Sequence, residues 1–352
     1  MIDLIGEYGA SALVGVVGGI LLGLAARLGR FCTLGAIEDR LYGGSDLRLR
    51  MWGIAIGVAI VGTFALIATG ALPAADTLYL GLHWNPLGSV LGGLAFGYGM
   101  ALAGNCGYGA LARLGGGDLR SFVIVLVMGV AAYATVSGPL APLRAALFPI
   151  DAVTDDRLPG IAHGLARLTG LGAPAIGIAL GLALLAASLA SKALWQTPGT
   201  VFWAAIVGAA ILTGWAGTSY IRAHGFEPIA PVSHSFSAPL GEAILWWMTG
   251  SVRPVSFAVG SVAGVWIGAF AGSLIKGHFR WEACEDPREL RRQIVGAALM
   301  GVGAVVALGC TIGQGLSAFS VLAWSAPVTF AAIFAGAAFG LRQLIEGFQP
   351  AE

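Results

Sequence analysis

The chain has 352 residues, of which 57% are hydrophobic and only 11% carry a charge. Soluble domains contain about 25% charged residues, so this composition excludes a soluble globular protein and indicates an integral membrane protein. The net charge is only +1, which excludes the strongly basic surface that binding to nucleic acid requires. The 55 glycines are about twice the usual share and favour close helix packing in a lipid bilayer.

Four cysteines in a chain of this length do not form a disulfide framework, and none has the paired Cys-x-x-Cys spacing of zinc or redox sites. The first residues, Met1 to Glu7, lack the basic region of a secretory signal, so we expect the first apolar segment to be a retained span. No low-complexity linker interrupts the chain. We therefore predict a single membrane domain over residues 1–352.

Apolar segments of the length of a bilayer span recur along the whole chain. The hydrocarbon core requires about 20 mainly apolar residues per helix. This criterion predicts an all-α integral membrane protein with about nine transmembrane helices. The predicted spans are 10–28, 51–70, 88–105, 121–138, 172–190, 200–216, 255–275, 293–309 and 317–341.

The distribution of basic residues predicts the orientation of these spans, because cytoplasmic loops carry an excess of Lys and Arg. If the N-terminus lies outside the cytoplasm, the outer segments hold only a minority of the 19 basic residues, and the others lie on inner loops. The outer ones are Arg144, Arg157, Arg167, Arg222 and Arg253. We therefore expect an N-terminus outside, a C-terminus inside and an odd number of spans.

The two halves of the chain resemble each other weakly. The first and third predicted spans end near Cys32 and Cys106, while the sixth and eighth end near Trp215 and Cys310. Under the predicted orientation these pairs run in opposite directions, which is typical of inverted repeats with a binding site near the bilayer midplane. The predicted pseudo-symmetric halves cover about 10–138 and 200–341, linked by an outer insert 139–171 and a span 172–190.

Three of the four cysteines share one local sequence context. Each is followed by a glycine three residues later and preceded by another glycine at the end of an apolar run. The segments are Gly29-Arg30-Phe31-Cys32-Thr33-Leu34-Gly35-Ala36, Gly104-Asn105-Cys106-Gly107-Tyr108-Gly109 and Leu308-Gly309-Cys310-Thr311-Ile312-Gly313-Gln314-Gly315. This context indicates broken helices that line a cavity, where the N-terminus of the following short helix directs its amide groups toward an anion.

A thiol in such a position has three roles open to it. It can stay neutral and donate a weak S–H hydrogen bond, ionise and act as a nucleophile or metal ligand, or exchange sulfur through a persulfide or mixed disulfide. A metal role has weak support because no His or Met adjoins the three segments, and we expect no cofactor. The remaining interpretation is packing, since free cysteine is usually a small hydrophobe.

Polar residues beside the cysteines are supporting candidates. Arg30 either borders the pathway or extends to the cytoplasmic interface, and Asn105 and Gln314 either line the pathway or form hydrogen bonds between helices. Trp215 either fills the position of a fourth cysteine or packs there, while Cys284 lies in an acidic loop and is expected to be incidental. The supporting glycines are Gly35, Gly109 and Gly313. The histidines expected on the surface are His83, His163, His224, His234 and His278.

At these residues the chain resembles the YeeE/YedE family of bacterial inner-membrane proteins, which includes a thiosulfate uptake transporter. The resemblance covers nearly the whole chain in span number and cysteine spacing, and its specific part is the segments around Cys32, Cys106 and Cys310. The insert 139–171 and Cys284 do not contribute to it. The resemblance implies nine transmembrane helices, short re-entrant helices from both faces, and a multi-pass location in the bacterial inner membrane.

The resemblance implies a transporter and not an enzyme. Thiosulfate would pass along Cys32, Cys106 and Cys310 through weak S–H hydrogen bonds. Two alternatives stay open: a membrane-embedded sulfurtransferase or persulfide relay, and a transporter of another sulfur or selenium species. The resemblance also implies a cytoplasmic partner similar to TusA, a small sulfur-carrier protein. The predicted spans lack the intramembrane Asp or Glu of a proton relay, which favours passive flow or coupling to consumption of the substrate.

Overall fold

The computed structural model of the protein describes residues 2–153, 158–283 and 286–347. Within these ranges the chain is mainly helical, and the only β-type pairing consists of isolated bridges. The α-helices are α1 (Ile2–Leu28), α2 (Thr33–Leu41), α3 (Leu47–Ala68), α4 (Pro86–Ala103), α5 (Gly107–Leu114), α6 (Leu119–Val136), α7 (Ala141–Leu147), α8 (Ile161–Thr169), α9 (Ala173–Leu189), α10 (Lys192–Trp195), α11 (Pro198–His224), α12 (Ala238–Thr249), α13 (Phe257–Ile275), α14 (Pro287–Val306) and α15 (Ser325–Glu346).

The described chain contains seven segments that are long and apolar enough to cross a membrane, which confirms the all-α, multi-pass membrane fold. They are α1 with α2, α3, α4 with α5, α6, α11, α13 and α15. The pair α8 and α9, bent by 118°, provides an eighth if it forms one span. The number nine stays a prediction. The further candidate is α14, whose first turns carry several charges: Arg288, Glu289, Arg291 and Arg292.

The end of the sixth predicted span is wrong. We expected it to end at residue 216, whereas α11 continues without a break to His224. Trp215 therefore lies inside a regular helix rather than at a break equivalent to that at Cys32. Its buried indole donates a 2.9 Å hydrogen bond to the hydroxyl of Ser320, so this residue packs and anchors a helix in the protein core.

The start of the ninth predicted span is also wrong. We expected it at residue 317, whereas α15 begins at Ser325. The preceding residues Gly313–Ala318 form a π-helical segment, and Leu322, with a φ of +51°, turns the chain before α15 begins. Apolar composition alone does not distinguish this irregular backbone from the first turns of a helix.

Helix α1 packs extensively against α13, and α4 packs extensively against α14. Both pairs meet at glycines. A Cβ atom on Gly19 of α1 would lie 2.5 Å from the carbonyl oxygen of Ser261 in α13, and a Cβ atom on Gly99 of α4 would lie 2.5 Å from that of Gly296 in α14. Only glycine permits two backbones to approach this closely, which is how helices associate tightly in lipid.

The packing of the remaining long helices follows a matched pattern. Helix α3 packs against α11 while α13 packs against α1, and α6 packs against α14 while α15 packs against α4. Exchanging α1 with α11, α3 with α13, α4 with α14 and α6 with α15 reproduces the same set of contacts. This correspondence favours the two inverted halves, 10–138 and 200–341, which stay a prediction.

The insert 139–171 contains the short helices α7 and α8 and is tied to two neighbouring loops. The amide of His83 donates a 2.8 Å hydrogen bond to the carbonyl of Asp151, and the amide of Trp324 donates a 3.1 Å hydrogen bond to that of Pro159. The insert therefore connects the loop before α4 with the turn that follows the π-helical segment.

Candidate functional site

Each of the three motif cysteines caps a helical segment with its own sulfur. Cys32 and Cys106 are the N-cap residues of α2 and α5, and Cys310 lies just before the π-helical segment. In every case the sulfur accepts a hydrogen bond from the backbone amide of the glycine three residues later. The N–S distances are 3.5 Å for Gly35 to Cys32, 3.4 Å for Gly109 to Cys106 and 3.5 Å for Gly313 to Cys310. The Cys-x-x-Gly pattern is thus a helix cap with sulfur in place of the usual oxygen.

The backbone before each cysteine turns in the same way. The residue two positions before the cysteine has a positive φ, which is +55° at Arg30, +76° at Gly104 and +56° at Leu308. A positive φ is uncommon outside glycine, and it ends the preceding helix abruptly. The shared turn and the shared cap together place each thiol at the start of a new helical segment, where the backbone amides carry partial positive charge.

The structure brings the three thiols into one region. The thiol of Cys106 lies close enough to Cys32 and to Cys310 for electrostatic interaction with both. Cys106 and Cys310 are only 1% exposed, whereas Cys32 is partly exposed. Tyr108 fixes the segment after Cys106, because its hydroxyl donates a 2.6 Å hydrogen bond to the carbonyl of Leu22 in α1. Of the three thiols, Cys32 is therefore the most accessible.

Cys310 receives additional hydrogen bonds from the stretch 225–237 between α11 and α12. The amide of Phe236 donates to its sulfur at 3.2 Å, and the hydroxyl of Ser235 lies 3.8 Å from the same atom. The carbonyl of Phe236 lies against Gly107, where a Cβ atom would be 2.6 Å from the oxygen. Residues 235–236 therefore bridge the Cys310 segment and the residue that follows Cys106.

Buried polar groups without partners surround the thiols. The side-chain oxygen and nitrogen of Asn105 and the hydroxyl of Thr33 form no hydrogen bond within the part of the chain that the structure describes, and the hydroxyl of Thr311 has only the thiol of Cys106 as a neighbour for a weak one. All three residues are at most 4% exposed, and each adjoins a motif cysteine in the sequence. Thr311 also lies beside the thiol of Cys106. Because an unsatisfied buried polar group costs about 1–3 kcal/mol, this cluster is suited to a polar ligand or bound water.

A cavity of about 520 Å³, which we call the vestibule, lies next to Cys310. Its wall includes Ser235, Leu308 and Gly309 from the surroundings of that cysteine, together with Tyr79 and Trp215. Burial raises the pKa of Tyr79, and the nearby Cys310 thiol raises it further, so the phenol keeps its proton at neutral pH. This volume lies within the range of small-molecule binding sites.

Comparison with known families identifies the family to which the chain belongs. A family model described as sulphur transport matches residues 28–339. The chain belongs to this sulphur transport family. It is the YeeE/YedE family that the three cysteine segments indicate, so that prediction is confirmed.

Two relatives within the sulphur transport family carry the name Thiosulfate transporter TsuA. The protein of Escherichia coli (strain K12) is 26% identical over 343 residues, which cover 89% of this chain and 88% of that protein. The protein of Spirochaeta thermophila (strain ATCC 700085 / DSM 6578 / Z-1203) is 26% identical over 344 residues, which cover 90% of this chain and 94% of that protein. The likeness therefore extends over nearly the whole length of all three chains.

In this member of the sulphur transport family, Gln314 holds the irregular backbone before Cys310. Its side-chain nitrogen donates to the carbonyls of Ala307 at 2.8 Å and Leu308 at 3.2 Å, and its side-chain oxygen accepts from the hydroxyl of Ser325 at 3.2 Å. These carbonyls lack helical partners because α14 ends at Val306. Gln314 therefore positions Cys310 by satisfying the end of α14.

Arg30 occupies a different environment from Asn105 and Gln314, because its side chain is exposed between α1 and α2. The ammonium of Lys276 lies nearby and donates to the carbonyls of Arg27 at 2.9 Å and Leu28 at 3.2 Å, which caps the end of α1. Burial lowers the pKa of Lys276, and the charges of Arg30 and Arg27 lower it further. Arg30 thus belongs to a basic rim around the end of α1.

One expectation for the histidines is wrong. His234 is fully buried rather than solvated, and its Nδ1 atom lies 2.7 Å from the hydroxyl of Ser261. Its ring stacks with Phe236 at a centroid distance of 6.5 Å and tilts against Phe257 at 5.0 Å. His234 therefore fixes the stretch 225–237 in the membrane domain, and its position outside any predicted span concealed this burial.

The sequence did not lead us to several residues of the site. Thr33 and Thr311 could have been found, since Cys-Thr occurs in two of the three segments. Ser235 and Phe236 carried no local signal, because their role follows from the fold of a loop. Cys284 lies outside the described residues. Within the described ranges, no group of three or more His, Cys, Asp or Glu side chains is placed to hold a metal ion.

Proposed function

We propose that this protein takes up thiosulfate across the bacterial inner membrane, with its N-terminus in the periplasm and its C-terminus in the cytoplasm. The names of both relatives support thiosulfate as the substrate. The observation that carries the proposal is the threefold repetition of one geometry. Three thiols share the same turn and cap, and each has a buried polar side chain next to it in the sequence. The polar atoms of Thr33 and Asn105 have no partner in the described chain, and the hydroxyl of Thr311 has only the Cys106 thiol.

The substrate passes along Cys310, Cys106 and Cys32 in that order. Cys310 follows Leu308 and Gly309 of the vestibule wall, Cys106 is buried and interacts with both other thiols, and Cys32 is the accessible one at the end of α1. At each position the amides of the capped segment and a neutral S–H group face the anion. Asn105 and Thr311 supply further hydrogen bonds at the middle position.

Weak donors suit this task. A neutral thiol binds an anion less strongly than Lys or Arg would, so the substrate leaves each position as readily as it arrives. No covalent bond of thiosulfate forms or breaks in this sequence of steps, which makes the protein a transporter and not an enzyme. A cytoplasmic protein similar to TusA receives the sulfur species after it leaves Cys32.

The test is growth of a bacterium without its own thiosulfate and sulfate importers on thiosulfate as the only sulfur source. Plasmids carry the wild-type chain, Cys106→Ser or Cys284→Ser, and membrane abundance is measured for each. We expect rescue by the wild type and by Cys284→Ser, the matched control, and no rescue by Cys106→Ser. Equal rescue by all three would contradict a pathway through the motif thiols.

Mass spectrometry of the wild-type protein during uptake separates this proposal from a persulfide relay. In the relay a cysteine carries one additional sulfur atom during turnover. We expect unmodified Cys106 while thiosulfate accumulates in the cells. A persulfide on Cys106 that forms and decays at the rate of uptake would favour the covalent route instead.

A further inference from the structure

The described wall of the vestibule contains one cationic side chain, and one of its nitrogen atoms lacks a hydrogen-bond acceptor. Among the described residues of its wall, Arg144 of α7 is the only Lys or Arg. Its Nε atom is buried and has no hydrogen-bond partner in the described part of the chain. A buried guanidinium nitrogen without an acceptor is costly, and Arg binds tetrahedral oxyanions with two parallel N–H groups. The side chain therefore has capacity for an anionic ligand in the cavity.

The wall also contains one acidic group, Glu242 of α12. Its carboxylate accepts a 2.5 Å hydrogen bond from the hydroxyl of Ser256 just before α13. No ion pair joins Glu242 to Arg144 within the described residues. The one carboxylate in the described wall thus binds a neighbouring hydroxyl, and the guanidinium of Arg144 forms no ion pair with any residue that the structure describes.

Hydroxyl groups of the vestibule wall extend to the first thiol. Ser233, Ser235 and Ser237 occupy alternate positions of a non-helical stretch, and all three line the cavity. The hydroxyl of Ser235 is the one that lies 3.8 Å from the sulfur of Cys310. The protonated phenol of Tyr79 is a further donor in this wall. The cavity therefore offers a cation and several neutral hydroxyls to oxygen atoms, and one of these hydroxyls, that of Ser235, lies beside the sulfur of Cys310.

We propose that the vestibule is a capture site for tetrahedral sulfur oxyanions, in which Arg144 binds the oxygens and Ser235 directs the ligand toward Cys310. This inference rests on the proposed uptake function and adds a binding site before the thiols. It divides recognition into two steps. The oxygen atoms are recognised in the vestibule, and the terminal sulfur is recognised at the thiols. Sulfate, which has the oxygens but no terminal sulfur, competes for the vestibule without being transported.

The test uses the purified full-length chain in proteoliposomes with radiolabelled thiosulfate. Arg144→Gln should raise the half-saturating concentration about tenfold, which corresponds to the loss of about one charge-assisted hydrogen bond, while the maximal rate stays near that of the wild type. The half-saturating concentration of Arg144→Lys should lie between those of the wild type and Arg144→Gln, because lysine keeps the charge without the planar guanidinium. Arg167→Gln removes an exposed arginine of the same insert and should leave uptake unchanged.

Sulfate competition and calorimetric binding to the detergent-solubilised protein complete the test. We expect sulfate to inhibit uptake by the wild type and to lose this effect in Arg144→Gln. An unchanged half-saturating concentration and unchanged sulfate inhibition in Arg144→Gln, at equal protein stability, would overturn the capture site while uptake stands. Binding of both anions that depends on Arg144, in a wild-type chain that transports neither, would overturn the uptake function and retain the capture site.

Discussion

The amide of Phe236 donates a hydrogen bond across 3.2 Å to the sulfur of Cys310. This contact joins two parts of the chain that are 74 residues apart, and it gives Cys310 a donor in addition to the glycine amide that caps all three thiols. A sulfur held by two backbone amides has little freedom to rotate. Because Cys310 follows two residues of the vestibule wall, Leu308 and Gly309, the thiol that the proposed pathway reaches first is the one that the fold fixes most firmly.

Substitutions of Cys310 separate its structural role from its role in transport. Cys310→Ser keeps a side-chain acceptor for the amide of Gly313, so the free energy of unfolding should stay near that of the wild type. Cys310→Ala removes the cap and should lower stability by about 1 kcal/mol. Both should reduce thiosulfate uptake about tenfold or more, because neither presents a thiol to the anion.

Thermal unfolding of the purified variants and uptake in proteoliposomes provide the two readouts for Cys310. Cys284→Ser serves as the control for removal of a thiol as such. Wild-type uptake by Cys310→Ser would contradict a role for the sulfur itself and would leave Cys310 as a capping residue.

Gln314 should contribute more to stability than its neighbours, since one side chain satisfies three groups. Gln314→Met keeps the volume but leaves the carbonyls of Ala307 and Leu308 without their donor. We expect a loss of about 1–3 kcal/mol in the free energy of unfolding, measured by thermal or denaturant unfolding in detergent. Gln196→Met, at an exposed position, is the control and should unfold like the wild type. A stable Gln314→Met variant with impaired uptake would instead place Gln314 on the pathway.

Much of this architecture could be predicted because a lipid bilayer permits few backbone conformations. Backbone groups in a bilayer must find partners within the protein, so apolar runs of about 20 residues have to become helices. Every predicted span indeed overlaps a helix. The segments at Cys32, Cys106 and Cys310 stood out because a Cys-x-x-Gly cap imposes a local sequence requirement, a sulfur and an amide three residues apart. Local rules of this kind are visible in one sequence.

The features that were missed depend on tertiary contacts. Trp215 looked like the counterpart of Cys32 by its place in the second half, but α11 is continuous around it and its indole is bound to Ser320, 105 residues away. His234 and Phe236 lie in a stretch without apolar periodicity, and they are buried only because the fold carries that stretch to Cys310. A single sequence contains no direct record of such distant pairings.

Substitutions of Arg30 distinguish a residue that borders the pathway from one that only extends to the cytoplasmic interface. The residue is exposed and has a φ of +55°, which costs an L-amino acid about 1–2 kcal/mol relative to glycine. Arg30→Gly should therefore increase stability by about 0.5–1 kcal/mol after the greater flexibility of unfolded glycine is included. Arg30→Ala keeps the unfavourable φ and should not stabilise the protein.

Uptake by the Arg30 variants then decides its role. Because the side chain is exposed at the basic rim, we expect both variants to transport thiosulfate at rates close to the wild type. A strong loss of uptake in both, with membrane abundance unchanged, would place Arg30 on the exit pathway.

Asn105 should show opposite effects on stability and on transport. Its side-chain oxygen and nitrogen are buried without partners in the described chain, so Asn105→Leu removes unsatisfied groups and should leave stability unchanged or raise it by about 1 kcal/mol. The same change removes two hydrogen-bonding atoms beside Cys106 and should reduce uptake strongly. Thermal unfolding and proteoliposome uptake measure the two effects. A variant that transports normally would show that these atoms do not contact the substrate.

Thr311 provides the sharpest comparison, because the chain contains a matched threonine away from the thiols. Thr311 and Thr63 are both fully buried. The hydroxyl of Thr63 has no partner among the described residues, and that of Thr311 has only the thiol of Cys106 beside it. Replacement by Val keeps the shape and removes the hydroxyl, so both variants should fold at least as stably as the wild type. Thr311→Val should lose uptake, since this hydroxyl lies beside Cys106, whereas Thr63→Val in α3 should retain it. Equal uptake by both variants would mean that the hydroxyl of Thr311 contributes no more to transport than that of Thr63. A selective loss at Thr311 would mark it as a substrate-binding group that neither composition nor span prediction identifies.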